Sequence, residues 1–581
     1  MVGETGAVNP VAVCPLCENW QTYLCEGFGM LVREIQPVTL WVEDDFRLRN
    51  HDATLGWGGC FCEVHLDLFS QQIGRRVERV ELLEAILKPG EPHPWRAKWL
   101  ELSGHTLLTP LTRLSQAIKS ASPETRVALM SSSPDAHSSE GRDWKRFQEA
   151  VGNTPTFLSR PNMAPYTQTW ALTTPPSLTR LTIANLWGPV AAYPELENSP
   201  RCGPYSKSSR YTVWQVMNCA AVGAKGVTIN HYDMLGNGLA LDRDFGKSLR
   251  ACKAVMNTLV AEGLDDREAD GVEVLFSPRA SEFMHTSDAG SLSRLMQESY
   301  LWGDTCFILG ISHRYTKEIT ERDSPIVVSG QTLRAFNEEE LRRLLKRRVV
   351  LDADSVVVLL ERGFGDLIGV SGAQWVSLRD SAYSYEEILE GDSSIYGIRN
   401  PRMSIQRCSQ ELLRMEVSKS AQVVTLIRRC DHSPLWPGCV VFNNSLGGTV
   451  VSLTYQVARQ AQYFMAFFNG FRRIFLQRLF FTLSPRAPLA MAAAHPLHCY
   501  RTSFPDGVRL NVFNPTDDTT DSVVIDLPSG EIKGGSWTSL DSNGTWVAVE
   551  PQVERATLCD RFSFPVNLGF LDGLFLKWVR A

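Results

Sequence analysis

The sequence predicts an α/β protein: a parallel barrel or doubly wound sheet, then a second α/β segment of flavodoxin-like rhythm, then a small antiparallel β domain. Three observations carry this reading. Short apolar runs alternate with stretches of helical spacing from residue 20 onward. The alternation restarts after a polar break at residues 262–268, and beyond Leu483 it gives way to patches of period two.

In order, residues 20–35 have helical spacing, 38–42 form a short apolar strand, and 77–86 begin another helical stretch. Residues 126–130 and 156–158 are strands, followed by the strand that leads to Glu197, a helix near 211–221 and a strand at 226–230. Polar residues sit repeatedly at strand ends, which is how a barrel builds a site at one face. The second segment opens with the strand 272–276 and continues with 325–328, a helix over 337–346, a strand at 349–352 and a helix through Leu360. Residues 380–436 are less regular. Residues 463–483 are strongly apolar but carry Arg472, Arg473 and Arg478, each costly in hydrocarbon, so they read as a packed amphipathic helix. The patches 508–513 and 522–527 alternate as strands. The expected boundaries are 1–264, 265–488 and 489–581.

At 581 residues the chain is too long for one core, and about three or four domains are expected. Hydrophobic residues make up 44%, charged residues 21%, and the formal net charge is -6. No basic field is present to attract nucleic acid or anionic lipid, so neither is an expected partner. The start Met1-Val2-Gly3-Glu4-Thr5 lacks the basic and apolar segments of a secretory signal, which predicts a cytoplasmic protein. Fourteen cysteines in such a chain read as buried thiols with room for one metal site, not as a disulfide framework. No internal repeat or low-complexity tract is present.

Two strand ends carry the chemistry. Tyr193-Pro194-Glu195-Leu196-Glu197-Asn198-Ser199-Pro200 presents carboxylates after an apolar run, and Leu40-Trp41-Val42-Glu43-Asp44-Asp45-Phe46-Arg47 repeats the arrangement. Paired carboxylates are what glycosidic cleavage needs, one as acid/base and one as nucleophile, about 5 Å apart in a retaining enzyme. The competing explanation is that these acids cap strands or pair with Arg47 and Arg201. His51, Arg47, Asn50 and Asn230 have the chemistry to bind sugar hydroxyls, and Trp187, Tyr232 and Trp214 to stack on a sugar ring, although for each aromatic a core role competes.

Glu197-Asn198-Ser199-Pro200 resembles the nucleophile motif of the family 42 glycoside hydrolases, mainly β-galactosidases of the retaining TIM-barrel clan. Trp214-Gln215 and Gly223-Ala224-Lys225-Gly226-Val227 resemble the helix and final strand that follow that nucleophile, and Gly330-Gln331-Thr332-Leu333-Arg334 with Val350-Leu351-Asp352 resemble the trimer-forming second domain. The resemblance implies a (β/α)8 barrel, β-galactoside substrates, a homotrimer and no catalytic cofactor. It implies Glu197 as nucleophile, with Glu195 as rival two residues away. By position Asp45 takes the acid/base slot and Asp44 the adjacent substrate contact, where the family has Asn-Glu; Glu43 is the rival acid. Only residues 1–37 precede the strand matching the fourth of the barrel, so the expected barrel lacks its first strands, and a degenerate carbohydrate-binding or structural homologue is the alternative.

Cys60-Phe61-Cys62-Glu63-Val64-His65, with Cys14-Pro15-Leu16-Cys17 upstream, forms a second constellation. The resembled family often holds a structural zinc here with cysteines, which implies Cys17, Cys60, Cys62 and His65 as ligands. Having both Cys14 and Cys17 leaves one ligand too many for a tetrahedral site, and small thiols filling a core are the alternative. An amidotransferase-like or flavin-like reading of the second segment ranks below these: no strand-turn-helix elbow with a central cysteine is present, and Gly363-Phe364-Gly365-Asp366-Leu367-Ile368-Gly369 does not have phosphate-binding glycine spacing.

Overall fold

The computed structural model describes residues 1–43, 46–50, 53–152, 155–168, 176–197, 206–230, 243–391, 395–401, 411–457, 468–484, 491–492, 496–557 and 559–581. Strands β1 (Thr39–Val42), β2 (Arg126–Ser131), β3 (Phe157–Pro161) and β4 (Val190–Ala192) lie side by side in chain order, and each pair is parallel. Tyr193 and Pro194 interrupt the fourth passage, since proline has no N–H for the ladder. The chain resumes as β5 (Glu195–Leu196), which bridges to Asn162 beyond β3 and pairs in parallel with β6 (Thr228–Ile229). β4 and β5 thus act as one interrupted strand, and five parallel passages follow one another. The described residues form no closed barrel.

Each passage is followed by a helix, and three of these helices have a start that is set locally. Helix Pro94–Ala121 has proline at its first turn and His93 Nδ1 accepting from the Trp95 N–H; helix Trp144–Val151 is capped by Asp143; helix Ser209–Ala221 is capped by Ser208. Leu107, Leu111, Leu114 and Ile118 of the longest helix pack on Val127 and Leu129 of β2, with Trp144 and Phe147 closing the layer.

The second segment contains β7 (Val272–Leu275), β8 (His313–Thr316), β9 (Ile326–Val328), β10 (Arg348–Leu351), β11 (Val370–Ser377), β12 (Tyr383–Ile388), β13 (Arg399–Asn400), β14 (Glu411–Val417), β15 (Gln422–Arg429), β16 (Pro434–Asn443) and β17 (Thr449–Leu453). Its parallel part runs β8-β7-β9-β10-β17. This is the 2-1-3-4-5 order of flavodoxin-like sheets. The same sheet continues through antiparallel β16, β15, β12 and β13. Among the described residues, the segment expected to be less regular, 380–436, is largely sheet. Register shifts along the β15–β16 pairing and the prolines of β16 break the period-two signal there.

The C-terminal part is a sandwich of two antiparallel sheets, one containing Gly507–Phe513 and Gly573–Val579, the other Thr520–Pro528 and Cys559–Leu568. Val523, Ile525, Phe562 and Phe564 meet Leu510, Val512, Leu576 and Trp578 between them. Strand Gly507–Phe513 is buried along its whole length, because its second face packs on helix Ser209–Ala221, where Asn511 Nδ2 donates to the Ala221 carbonyl at 3.2 Å.

Candidate functional site

The carboxyl ends of the parallel passages bring the two acidic stretches toward one face. Glu43 follows β1 with its side chain 59% exposed. Asp44, Asp45 and His51 lie outside the described residues, as do Arg201 and Tyr232. Glu195 and Glu197 stand two apart on an extended segment, so they point to the same side. Their surroundings differ. Glu195 is buried, ion-paired with Arg160 of β3, and accepts from the Tyr166 hydroxyl at 3.1 Å, which in turn accepts from Asn162 Nδ2 at 2.8 Å. Arg160 also donates through Nε to Thr228 Oγ1 at 2.9 Å and reaches to 4.0 Å from Glu43, so one guanidinium spans both acidic strand ends.

Glu197 is half-buried and faces Lys207 electrostatically. The Lys207 side chain is buried and donates to Gln215 Oε1 at 2.9 Å and to the Pro165 carbonyl at 3.4 Å. Burial pulls its ammonium down to about 8, and the Glu197 carboxylate works in the opposite direction. Arg160 stands out in the sequence as a polar strand end, though its pairing with Glu195 does not; Lys207 and Tyr166 were not singled out, because they reach the acids from loops and nothing in their local spacing marks them.

Arg47 donates through Nε to the Arg49 carbonyl at 3.0 Å and through Nη1 to Ser132 Oγ, tying the loop after β1 to the loop after β2. A buried pair stands behind it. His137 Nε2 accepts from the Ser132 N–H at 3.1 Å, its Nδ1 lies 3.2 Å from Glu140 Oε2, and Glu140 Oε1 accepts from the Arg49 N–H at 2.6 Å. Burial and the nearby Arg142 push His137 down to about 4, so the ring is neutral, accepting at Nε2 and donating Nδ1–H to Glu140. Burial works to raise the Glu140 carboxyl, but the His137 hydrogen bond and the positive charge of Arg142 prevail and hold it low. Asn230, at the end of β6, donates its N–H to the Leu196 carbonyl at 3.0 Å and so sits beside the acidic segment.

Among the described residues, Trp187 and Trp214 do not come together as a stacking face. Trp214 is buried in the core shared by helix Ser209–Ala221 and the C-terminal sandwich. Trp187 precedes β4, at the end of the strands opposite the acids, with Lys317 Nζ 3.2 Å from its ring centroid.

The sulfur atoms of Cys14, Cys60 and Cys62 and a ring nitrogen of His65 lie within 4.8 Å of one another. Cys17 is not the fourth member: it is exposed at the N-cap position of the first helix, Glu18–Ile35, its N–H donates to the Cys14 carbonyl, and this turn leaves Cys14 to the cluster instead. The Cys14–Cys62 sulfurs are 3.8 Å apart, and His65 Nδ1 is 3.3 Å from Cys62 Sγ and 3.6 Å from Cys14 Sγ. Tetrahedral zinc with ordinary Zn–S and Zn–N bonds has edges of about 3.8 Å between sulfurs and about 3.5 Å from sulfur to nitrogen. The donor set and its spacing therefore fit zinc. Cys60 Sγ also accepts from the Val2 N–H at 3.0 Å. S–H groups of Cys14 and Cys60 aimed at Cys62 hold its thiol far below the ordinary thiol range. The other cysteines among the described residues are free. No helix of the described residues is long and apolar enough to cross a membrane.

No protein-family model and no curated protein matches this chain in sequence. In three dimensions it is similar to a family 42 β-galactosidase from G. stearothermophilus, solved as a catalytic mutant, with a TM-score of 0.63 at 11% identity over 100% of this chain and 85% of that one. It is similar also to the β-galactosidase of Rahnella sp. R3, with a TM-score of 0.60 at 11% identity over 99% of this chain and 84% of that one. The β-galactosidase of Bacillus circulans sp. alkalophilus gives 0.60 at 12% identity over 100% and 86%. The likeness is one of fold.

Proposed function

We propose that this chain, which shares the fold of the family 42 β-galactosidases, is a retaining β-glycosidase acting on β-galactosides. The observation that carries the reading is the convergence of two acidic strand ends on one face of a parallel sheet, with Arg160 held between Glu195 and Glu43. Glu195 is held by Arg160 and Tyr166, and Glu197, which keeps the register of the Glu-Asn-Ser-Pro motif, is assigned as the nucleophile. Lys207 beside it favours the carboxylate, the form that attacks, over the acid. The proton for the leaving oxygen comes from the acidic end of β1, with Asp45 in that role, Glu43 the alternative, and Asp44, Arg47, His51 and Asn230 contacting hydroxyls. Water then releases the sugar from Glu197.

Zinc in this reading is structural: Cys14, Cys60, Cys62 and His65 would tie the first residues of the chain to the start of helix Glu63–Ile73, and no catalytic step involves it. The proposed units are 1–264, 265–488 and 489–581, and a homotrimer is the proposed assembly.

The second reading is a carbohydrate-binding or structural homologue without turnover. The open set of five parallel passages favours it, because strands and loops that complete a closed barrel's site are not among the described residues. Hydrolysis of a panel of nitrophenyl β-glycosides by the purified chain and by its Glu197→Ala variant separates the two. Turnover by the wild type alone supports the enzyme and identifies the sugar. Silence together with retained galactose binding supports the second reading.

A further inference from the structure

Beside the proposed centre lies a cavity of about 380 Å³ bounded by loops after β1, β2 and β3 and by residues 296–304 of the second segment. Its size falls within the ~300–1,000 Å³ of small-molecule sites. It shares Pro165 with the wall of the centre, since the Pro165 carbonyl accepts from Lys207.

The lining is rich in acceptors. Asp135 is buried and uses Oδ2 to accept from the Ser299 N–H at 3.0 Å; Asp304 accepts from the Ser177 hydroxyl. The Glu298 carboxylate makes no hydrogen bond or ion pair among the described residues. Gln297, 8% exposed, donates to Thr332, and its Oε1 is a buried acceptor with no donor among the described residues. Against three carboxyls and this amide oxygen the lining offers one cation, Arg49. A buried acceptor without a donor is costly, so the arrangement calls for a ligand that brings donors and positive charge. The carboxyls are not gathered as metal ligands: among the described residues, the group that draws three or more such atoms within 4.8 Å is the cysteine and histidine cluster.

We infer that this cavity binds a sugar unit carrying a protonated amino group, adjacent to the β-glycoside whose bond is cleaved. Its hydroxyls donate to Gln297 and Asp135, and its ammonium lies among Glu298, Asp304 and Asp135. Burial lifts Asp135 and Asp304 to about 7, and a cationic group opposes that lift and keeps them ionised. The inference rests on the glycosidase reading for the neighbouring bond, but not for the binding itself.

Calorimetric titration of the full chain with glucosamine, N-acetylglucosamine and galactose tests it, alongside Glu298→Gln, Asp304→Asn and Glu197→Gln. Glucosamine is expected to bind at least about tenfold more tightly than the two neutral sugars, a margin lost in Glu298→Gln and Asp304→Asn and kept in Glu197→Gln. Glu298 has no side-chain partner to lose among the described residues, so its variant is expected to fold as the wild type does. Equal binding of the three sugars, a margin unchanged in both cavity variants, or a margin lost in Glu197→Gln would overturn the proposal. A calcium ion that binds with release of glucosamine would overturn it as well. Absence of glycoside turnover with the margin intact removes the glycosidase reading and leaves the cationic site standing.

Discussion

Arg160 of β3 is ion-paired with Glu195 of β5, and the two side chains are 11% and 6% exposed. The pair joins strands whose own ladder contact is a single bridge at Asn162 and Glu195, so it fixes the acidic segment against the rest of the sheet. A buried charge left alone is costly, and the expected loss on Arg160→Met is roughly 3–5 kcal/mol. Changing Glu195 to Met in the same chain should recover most of it. Denaturant unfolding of the two single variants and the double variant checks this; equal stability of all three would mean that the pair has no structural weight.

Glu195→Gln and Glu197→Gln should separate in kinetics. Glutamine at 197 removes the nucleophile and is expected to lower kcat on a nitrophenyl β-galactoside on the order of 10³-fold or more. Glutamine at 195 still accepts from Tyr166 and should cost stability more than rate. The reverse order would assign the nucleophile to Glu195.

Much of this arrangement was legible from the chain alone, and the places where it was not have physical causes. Strands such as Arg126–Ser131 and Val272–Leu275 are short β-branched or apolar runs between polar breaks, so composition reveals them. The pairing of Glu195 with Arg160 depends on the register of two strands, which no local spacing encodes. For Trp214 the sequence left sugar stacking and a core role both open; helix Ser209–Ala221 buries polar residues such as Gln215 and Asn218 as well as apolar ones, so periodicity gave Trp214 no direction, and the core role is the one it takes. Cys14 and Cys17 are equivalent by composition. The helix start at Glu18 turns one outward at the N-cap position and leaves the other to the cluster.

Purified protein should carry one zinc per chain. Cys14→Ala should lose it while Cys17→Ala keeps it, because only the former sulfur is within reach of Cys60, Cys62 and His65. Loss of the metal is expected to lower the melting temperature, since binding free energy at such sites is largely folding free energy. Elemental analysis with a thermal melt reads both; zinc retained by Cys14→Ala, or absent from the wild type, would remove the site.

The carboxyls of Asp135 and Asp304 give the fold a signed dependence on pH. Each is raised by burial from 3.8 to about 7, so between those values the folded chain holds protons that the unfolded chain has released. Stability linked to these groups is therefore present below pH 3.8 and is lost as pH rises through about 7. Asp304→Asn keeps an oxygen to accept from the Ser177 hydroxyl but has no proton to lose. Relative to the wild type it should gain stability as pH rises from about 4 to 7, with the difference levelling off above that range. The residual slope of the variant belongs in part to Asp135. Unfolding free energies of both proteins at pH 4, 5, 6, 7 and 8 measure the difference directly; a gap that is constant across the series would show that Asp304 ionises in the folded chain as it does in the unfolded one.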